Sequence, residues 1–391
     1  MTNVTYGDVL RTPGTTPLYI AAFLARIPMM ALPLVLTLLV VEGLDGTYGQ
    51  AGLVAAAETI GVAFGGPWRG RAIDRTGLRR ALVPSIVVLL VAYPLMIVSP
   101  FLWLLPLAFV GGLFMTPIHS IVRTSLAARL PTESHRSAFA LDAVCAEASF
   151  IVGPAAAGAV VALVSPAVGL LSVAGSVAIG LLILWVLNPP TRGLESPPTP
   201  ALSGGARWMS TDLVLLYLIT GASMIAMMAA DLGVIAALRE LDALAVIGVV
   251  YLGWGVASVV GGLVYGARPT SIRPSVLLLT MSVLIIPIGL AQSPVALALA
   301  VVPAGLLGAP IMAASSEWIA RLTDESVRAE AMGWQAASIK IGGALAAPVV
   351  GVAIDHAGAA AGFAVGGGAG ALIAVVAVAE QRLRRRDRAA L

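Results

Sequence analysis

The side chains that could do chemistry in this chain are ionisable groups set inside long apolar runs. They are Arg26, Glu58, His119, Arg123, Asp142, Glu147 and Lys340, with Asp231 and Glu317 nearer the ends of theirs. A charge in such a run is costly to keep, so each is a functional candidate by default. A carboxyl group there can take up a proton from one side and release it to the other. Glu58 and Glu147 are the first choices for that work because both lie at mid-depth, and Asp231 is the third. Arg26 lies as deep as Glu58 and could pair with it. Lys340 lies at similar depth. Arg26 and Lys340 would then sense the change of charge, or hold an anionic group of a substrate. His119 matches Glu147 in depth. Arg123 and Asp142 match nearer one end and read as a fixed ion pair that holds helices together. Trp254, Trp318 and Trp334 could line a pocket, although anchoring at the interface is the commoner use of tryptophan.

These groups are unusual only if their surroundings are a bilayer, and the composition says so. Apolar types make up 59% of the 391 residues and charged types 11%, where a soluble domain carries about 25% charged. Apolar spans are expected near 17–41, 48–68, 81–98, 101–128, 137–163, 167–187, 212–236, 244–266, 275–291, 295–320, 330–354 and 358–379. Twelve spans of about 21 residues use roughly 250 residues and leave room for short loops. A soluble enzyme, a disordered chain and a coiled coil are excluded. The 42 glycines show no G-X-Y period, which excludes collagen. Cys145 is the single cysteine and has no partner within the chain for a disulfide. The first apolar stretch is long and many others follow it, so it reads as a retained span and not as a cleaved signal.

Placement of the 22 arginines and one lysine sets the orientation. With the N-terminus inside, the inside loops hold Arg69, Arg71, Arg75, Arg79, Arg80, Arg129, Arg136, Arg192, Arg207, Arg268, Arg273, Arg321 and Arg328. The outside loops hold only Arg239, beside Glu42, Asp45, Glu240, Asp242 and Asp355. Both termini are therefore expected in the cytoplasm of a multi-pass cell-membrane protein. The tail arginines Arg382, Arg384, Arg385, Arg386 and Arg388 follow directly on a span and read as a membrane-surface anchor. No basic run suggests nucleic acid.

Segment 188–210 is rich in Pro, Gly and Ser and separates 1–187 from 211–391, six spans from six. The halves carry an internal repeat. Leu130, Glu133, Ser134 and Arg136 recur as Leu322, Glu325, Ser326 and Arg328 at an offset of 192. Gly112, Leu113, Pro117 and Ile118 recur as Gly305, Leu306, Pro310 and Ile311, and Pro154 and Gly158 as Pro348 and Gly351. The expected fold is an all-α membrane protein of twelve transmembrane helices in two pseudo-symmetric six-helix bundles. Parallel halves with a midplane site between them form a transporter layout. Each chain is expected to work as a monomer.

The loop after the second span reads Gly70-Arg-Ala-Ile-Asp74-Arg75-Thr-Gly77-Leu-Arg79-Arg80. Gly77 supplies the freedom for a tight turn. Asp74 can face a helix N-terminus, and the arginines can bridge acids or lipid phosphates. This ordered string resembles the signature loop of the major facilitator superfamily. It departs at Leu78, where a basic residue is usual. The corresponding stretch of the second half, from Gly262 through Gly266 to Arg268, lacks the acid. The resemblance implies a latch for the outward-open state, with Asp74 paired to the start of the eleventh span and Arg75 to nearby acids. It also implies that the second and eleventh spans are neighbours, which brings Glu58 and Lys340 within reach of each other. In the fifth span, Ala140, Ser149, Gly153, Pro154, Ala157 and Gly158 look like the signature of the superfamily's drug:proton antiporters, with three glycines replaced by other small residues. Small residues there would allow close approach to a neighbouring helix, and Pro154 a kink.

The expected function is proton-coupled efflux of a lipophilic or amphiphilic small molecule by alternating access. A proton-coupled metabolite importer is the alternative, as is a non-transporting receptor or lipid-moving protein on the same fold. Asn occurs only at positions 3 and 188, and Gln335 is essentially the one span glutamine. That poverty in amides favours an apolar cavity over a sugar site. There is no phosphate-cradling glycine loop, no His/Cys cluster for a metal and no catalytic dyad, so neither an enzyme nor a cofactor is expected. The partners are the solute, protons and the bilayer.

Overall fold

Apolar runs of this length cross a bilayer as helices because a helix satisfies its own backbone polar groups. The computed structural model describes residues 5–191, 208–243 and 246–390. Every regular element among them is helical. In the first half of the chain these are α1 (Tyr6–Arg11), α2 (Thr15–Leu38), α3 (Tyr48–Thr76), α4 (Leu78–Val98), α5 (Phe101–Phe114), α6 (Ile118–Arg129), α7 (His135–Leu163) and α8 (Pro166–Leu187). The second half holds α9 (Thr211–Glu240), α10 (Ile247–Ala267), α11 (Pro274–Ile285), α12 (Pro294–Gly305), α13 (Gly308–Leu322) and α14 (Arg328–Ala390). Among the described residues nine helical runs are long and apolar enough to cross a membrane, and Pro274–Leu290 is a shorter apolar helix.

Local sequence sets the ends. Thr5 with Asp8 and Thr47 with Gln50 form capping boxes at α1 and α3. The hydroxyl and amide of Thr5 hold the Asp8 carboxyl below its usual range. Ser165, Ser210 and Ser293 cap α8, α9 and α12 through their hydroxyls. The first expected span ends in a π-helical turn at Leu39–Gly43, and three others are not single regular helices. The fourth breaks between α5 and α6 just ahead of Pro117, since the residue before a proline avoids the helical region. The tenth breaks between α12 and α13, at the matching place in the repeat. The ninth runs from α11 into a tight turn at Ile286–Leu290. In α14 the helix is interrupted at Ala357 and Gly358, where Gly358 takes a φ of 75°. Glu240, at the end of α9, caps the restart by accepting from the Ala359 N–H at 2.7 Å. Residues 192–207 of the expected linker, with Arg192 and Arg207, lie outside the described residues, as do the side chains of Arg382, Arg384, Arg385, Arg386 and Arg388.

Within the first half, α2 packs on α7 and α8, α3 on α5, and α4 on α5 and α8. Within the second, α9 and α11 pack on α14, and α10 on α12 and α13. The halves meet where α3 and α6 touch α14 and where α7 touches α10 and α13. Lipid offers no hydrophobic force to bring helices together, so close approach rests on small residues. Gly112 of α5 sits against the backbone carbonyl of Glu58 on α3, where a Cβ would overlap it.

Replacing Gly112 by Val is expected to force α3 from α5 and cost about 1–3 kcal/mol. Thermal unfolding of the purified protein reads this as a lower midpoint. An unchanged midpoint would mean the two helices are not held at contact distance.

Candidate functional site

Helices α2, α6 and α7 converge on one carboxylate. Asp142 of α7 is wholly buried and accepts from Arg26 Nη2 at 2.6 Å and from Arg123 Nε at 2.9 Å. Its two oxygens are thus used by two guanidinium groups, and the trio carries one excess positive charge. Arg123 also donates from Nη1 to Gln335 Oε1 of α14 at 3.3 Å, and Ser316 of α13 shares its one hydroxyl proton between that oxygen at 3.0 Å and the Met312 carbonyl at 2.9 Å. The cluster therefore crosses from one half of the chain to the other. Arg26 Nε and Gln335 Nε2 are buried without a hydrogen-bond partner. His119 lies close enough to feel Arg26, Arg123, Asp142 and Lys340.

The expected Arg26–Glu58 pair does not form. Helix α2 lays the Arg26 face on α7, whereas α3 turns Glu58 toward α14. There Lys340 is the cation acting on it.

A second constellation lies on the other side of α7. Glu147 lies close enough to Ser258 of α10 for the two side chains to interact. The Ser258 oxygen accepts from the Ala309 N–H at 3.0 Å, which leaves its own O–H to turn toward the carboxylate. Asp231 of α9 lies within electrostatic reach of Glu147. Tyr251 donates to the Asp231 backbone carbonyl at 3.2 Å. Both acids are half-buried. Asp231, expected nearer a membrane face, thus bears on an acid of the opposite half. Glu317 is fully buried and engaged by Tyr265, Ser271 and Arg321. Trp318 donates to Ser271 at 3.3 Å, and Trp334 is partly exposed. In α7, Gly153 meets the Ile27 carbonyl of α2, with Pro154 next to it and Gly158 facing Leu34.

The signature loop closes one end of the molecule. Asp74 accepts from the Ala329 and Glu330 N–H groups at 3.3 and 2.8 Å, capping the first turn of α14. Arg71 donates from both Nε and Nη2 to Glu330. This corrects the expected role of Arg75, which is exposed and forms no ion pair among those described. Gly70 lies against the Ala329 backbone, and Gly66 and Gly333 meet backbone to backbone. Ser120 donates to the Ala329 carbonyl at 2.8 Å, Ser137 to the Gly266 carbonyl at 2.6 Å, and Tyr6 to that of Leu263. The other loop residues serve their own half. Gly77 makes the turn between α3 and α4 with a φ of 80°. Arg79 donates to the Trp185 and Val186 carbonyls and lies over the Trp185 ring, and Arg80 is exposed. Sequence reasoning missed the partners Glu330, Ser258 and Ser316, and took Gln335 only as a rare amide.

The chain matches the family model described as Major Facilitator Superfamily over residues 18–265. No curated protein matches its sequence. The human organic anion transporter MFSD10 (TETRAN) has a similar fold, with a TM-score of 0.72 at 18% identity over 96% of this chain and 100% of that one. A bacterial homologue of the iron transporter ferroportin, in its outward-facing state, gives 0.75 at 14% over 93% and 98%. The proton:xylose symporter XylE gives 0.69 at 12% over 92% and 94%.

Two substitutions test the polar contacts. Asp142→Asn leaves Arg26 and Arg123 buried without their counter-charge, at an expected cost of about 3–5 kcal/mol read as a lower unfolding midpoint. Asp74→Asn weakens two bonds to a charged acceptor, each worth about 1.5–3 kcal/mol. Spin labels at the adjoining ends of α3 and α14 should then show an added population at longer distance. An unshifted distribution would mean these bonds do not hold the end closed.

Proposed function

The chain belongs to the Major Facilitator Superfamily, and from that premise we propose that it is a proton-coupled exporter of a lipophilic or amphiphilic small molecule. In this reading α2 to α14 make twelve spans. The fourth and tenth are each built of two helices, and α14 supplies the last two across its break at Gly358. They form six-helix bundles over 1–187 and 211–391, joined by the cytoplasmic linker 188–210, and the monomer is the working unit.

Orientation follows from charge. The closed end carries Arg71, Arg75, Arg79, Arg129, Arg136, Arg268, Arg321 and Arg328, so the excess of arginine puts that end and both termini in the cytoplasm. Among the described residues, the hydrogen bonds between the halves run from that end only as deep as Arg123–Gln335. This supports an outward-facing state of a cell-membrane transporter.

The observation that carries the coupling is the meeting of Glu147, Ser258 and Asp231 across the two halves. Two acids at one interface repel when both are ionised and share a proton readily. Separation of the halves removes that contact, so protonation and the movement of one half against the other are linked. Glu58 with Lys340 is the second carboxylate at such a seam. For the solute, the Oε1 of Gln335 is taken up by Arg123, and the spans offer few other amides to a sugar hydroxyl. Half-buried methionines stand on the first long helix of each half, Met29 and Met30 on α2 and Met224, Met227 and Met228 on α9. Methionine suits irregular apolar solutes. Arg26 and Lys340 would hold any anionic group such a solute carries. The small-residue face of α7 against α2 at Gly153 supports the efflux direction through its likeness to the antiporter signature.

Liposomes holding a pH-sensitive dye and the purified protein test this reading. A panel of amphiphiles, amino acids and sugars is added under an imposed proton gradient. An amphiphile should collapse the gradient in wild type, and the flux should fall to that of empty liposomes in Glu147→Gln, Asp231→Asn and Glu58→Gln. Proton-coupled flux that persists in all three variants across pH would overturn the coupling role.

A further inference from the structure

The two copies of the repeated segment, 130–136 and 322–328, face each other at the closed end and frame a cavity of about 410 Å³. Leu130, Thr132 and His135 line it from the first half, and Arg321, Glu325 and Arg328 from the second. The coupling acids lie elsewhere. Arg328 is only 8% exposed, yet its Nε and Nη1 have no hydrogen-bond acceptor. Its Nη2 reaches the Thr323 carbonyl at 3.4 Å, and the Glu325 carboxylate stands 3.8 Å from Nη1. His135 is 5% exposed, and its Nε2 bonds the Leu130 carbonyl at 2.9 Å. That bond puts the proton of the neutral ring on Nε2 and leaves Nδ1, which has no partner, as an acceptor. Arg321 is held on one side by Glu317 and is 36% exposed.

The set is mixed in a way that selects its ligand. The arginines offer N–H donors and positive charge. Glu325 and His135 Nδ1 offer acceptors. An anion that satisfies both must carry bare oxygens for the guanidinium groups and an O–H for the acceptors. We propose that this cavity binds a phosphate, either free hydrogen phosphate or a phosphate monoester. Its unprotonated oxygens pair with Arg328 and Arg321. Its P–OH donates to Glu325 or to His135 Nδ1. Sulfate has no proton to donate at neutral pH and would meet the Glu325 carboxylate as bare repulsion. A phosphatidic-acid headgroup and a soluble phosphate share this chemistry. The site stands apart from the transport reading, because binding is measured on the purified chain without any flux.

Isothermal titration of the full-length protein with inorganic phosphate and with sulfate, at matched ionic strength and neutral pH, tests the proposal. Phosphate should bind saturably and sulfate at least about tenfold more weakly. Glu325→Gln exchanges an acceptor for an amide donor, so it should narrow the gap between the two ions to about threefold or less. Arg328→Gln should weaken phosphate about tenfold. No phosphate binding in wild type, equal affinities in wild type, or an undiminished preference in Glu325→Gln would each overturn it. Unfolding midpoints without ligand show whether the variants fold. Should Arg328→Gln not fold, the ion preference of wild type and Glu325→Gln decides alone. Repetition in lipid discs assigns the source. Phosphate binding lost only in discs with phosphatidic acid supports the headgroup as occupant, and binding retained there supports the soluble ion.

Discussion

One carboxylate, Asp142, sets the register of the first half. In a bilayer the surroundings are as apolar as the helices, so no hydrophobic force says how far one helix is slid or turned against the next. A fully buried acid held by Arg26 from α2 and Arg123 from α6 does say so. Either arginine without it would be an uncompensated charge in a dry interior. Fixing α7 in this way fixes what its other faces show. Glu147 lies five residues further along, about 140° around the helix, and so turns from its own half toward α10 of the other. Claiming Arg26 for Asp142 also leaves Glu58 to Lys340. The pairing seen at both candidate carboxylates therefore descends from the one at Asp142.

Much of this was legible in the sequence, for physical reasons that also mark where legibility stops. Hydropathy located the runs long and apolar enough to cross a bilayer, nine of them among the described residues, because the bilayer demands a minimum apolar length. It could not show that the fourth and tenth are each two helices, since a break next to Pro117 or Leu307 costs no apolarity. Depth along a span told which charges share a level. It could not tell which face of a helix meets which neighbour or how far one helix is slid along the next, so counting puts Arg26 level with Glu58 and Asp142 nearer one end, whereas the fold joins Arg26 to Asp142. That Asp74 can face a helix N-terminus was readable from its type, whereas the choice of α14 as that helix came from the likeness to the superfamily's signature loop. Arg71 and Arg75 lie one turn apart on the same side of α3, and nothing local says which of them reaches Glu330. Ser258 and Ser316 carried no signal at all, as a serine in an apolar run usually bonds its own backbone.

The closed end joins two kinds of contact. At its rim are charged and polar bonds: Asp74 on the first turn of α14, Arg71 on Glu330, and the serines on facing carbonyls. The helix N-terminus brings its own partial positive charge to Asp74, so that bond is made with the dipole as well as with two N–H groups. Deeper in, the same two helices meet through glycine backbone.

That glycine stretch has a thermodynamic consequence. Where Gly66 and Gly333 touch, each would clash with a Cβ on the other, and no side chain lies between them. Side chains that interlock lose rotamer freedom each time two surfaces meet and regain it when they part. Bare backbone has no such freedom to lose, so this part of the seam can zip and unzip with almost no change in order and no repacking to wait for. The balance between shut and open then rests on the rim, where Arg71 is 48% exposed and its pair is open to screening. Such a gate should answer to ionic strength more than to the packing of its walls.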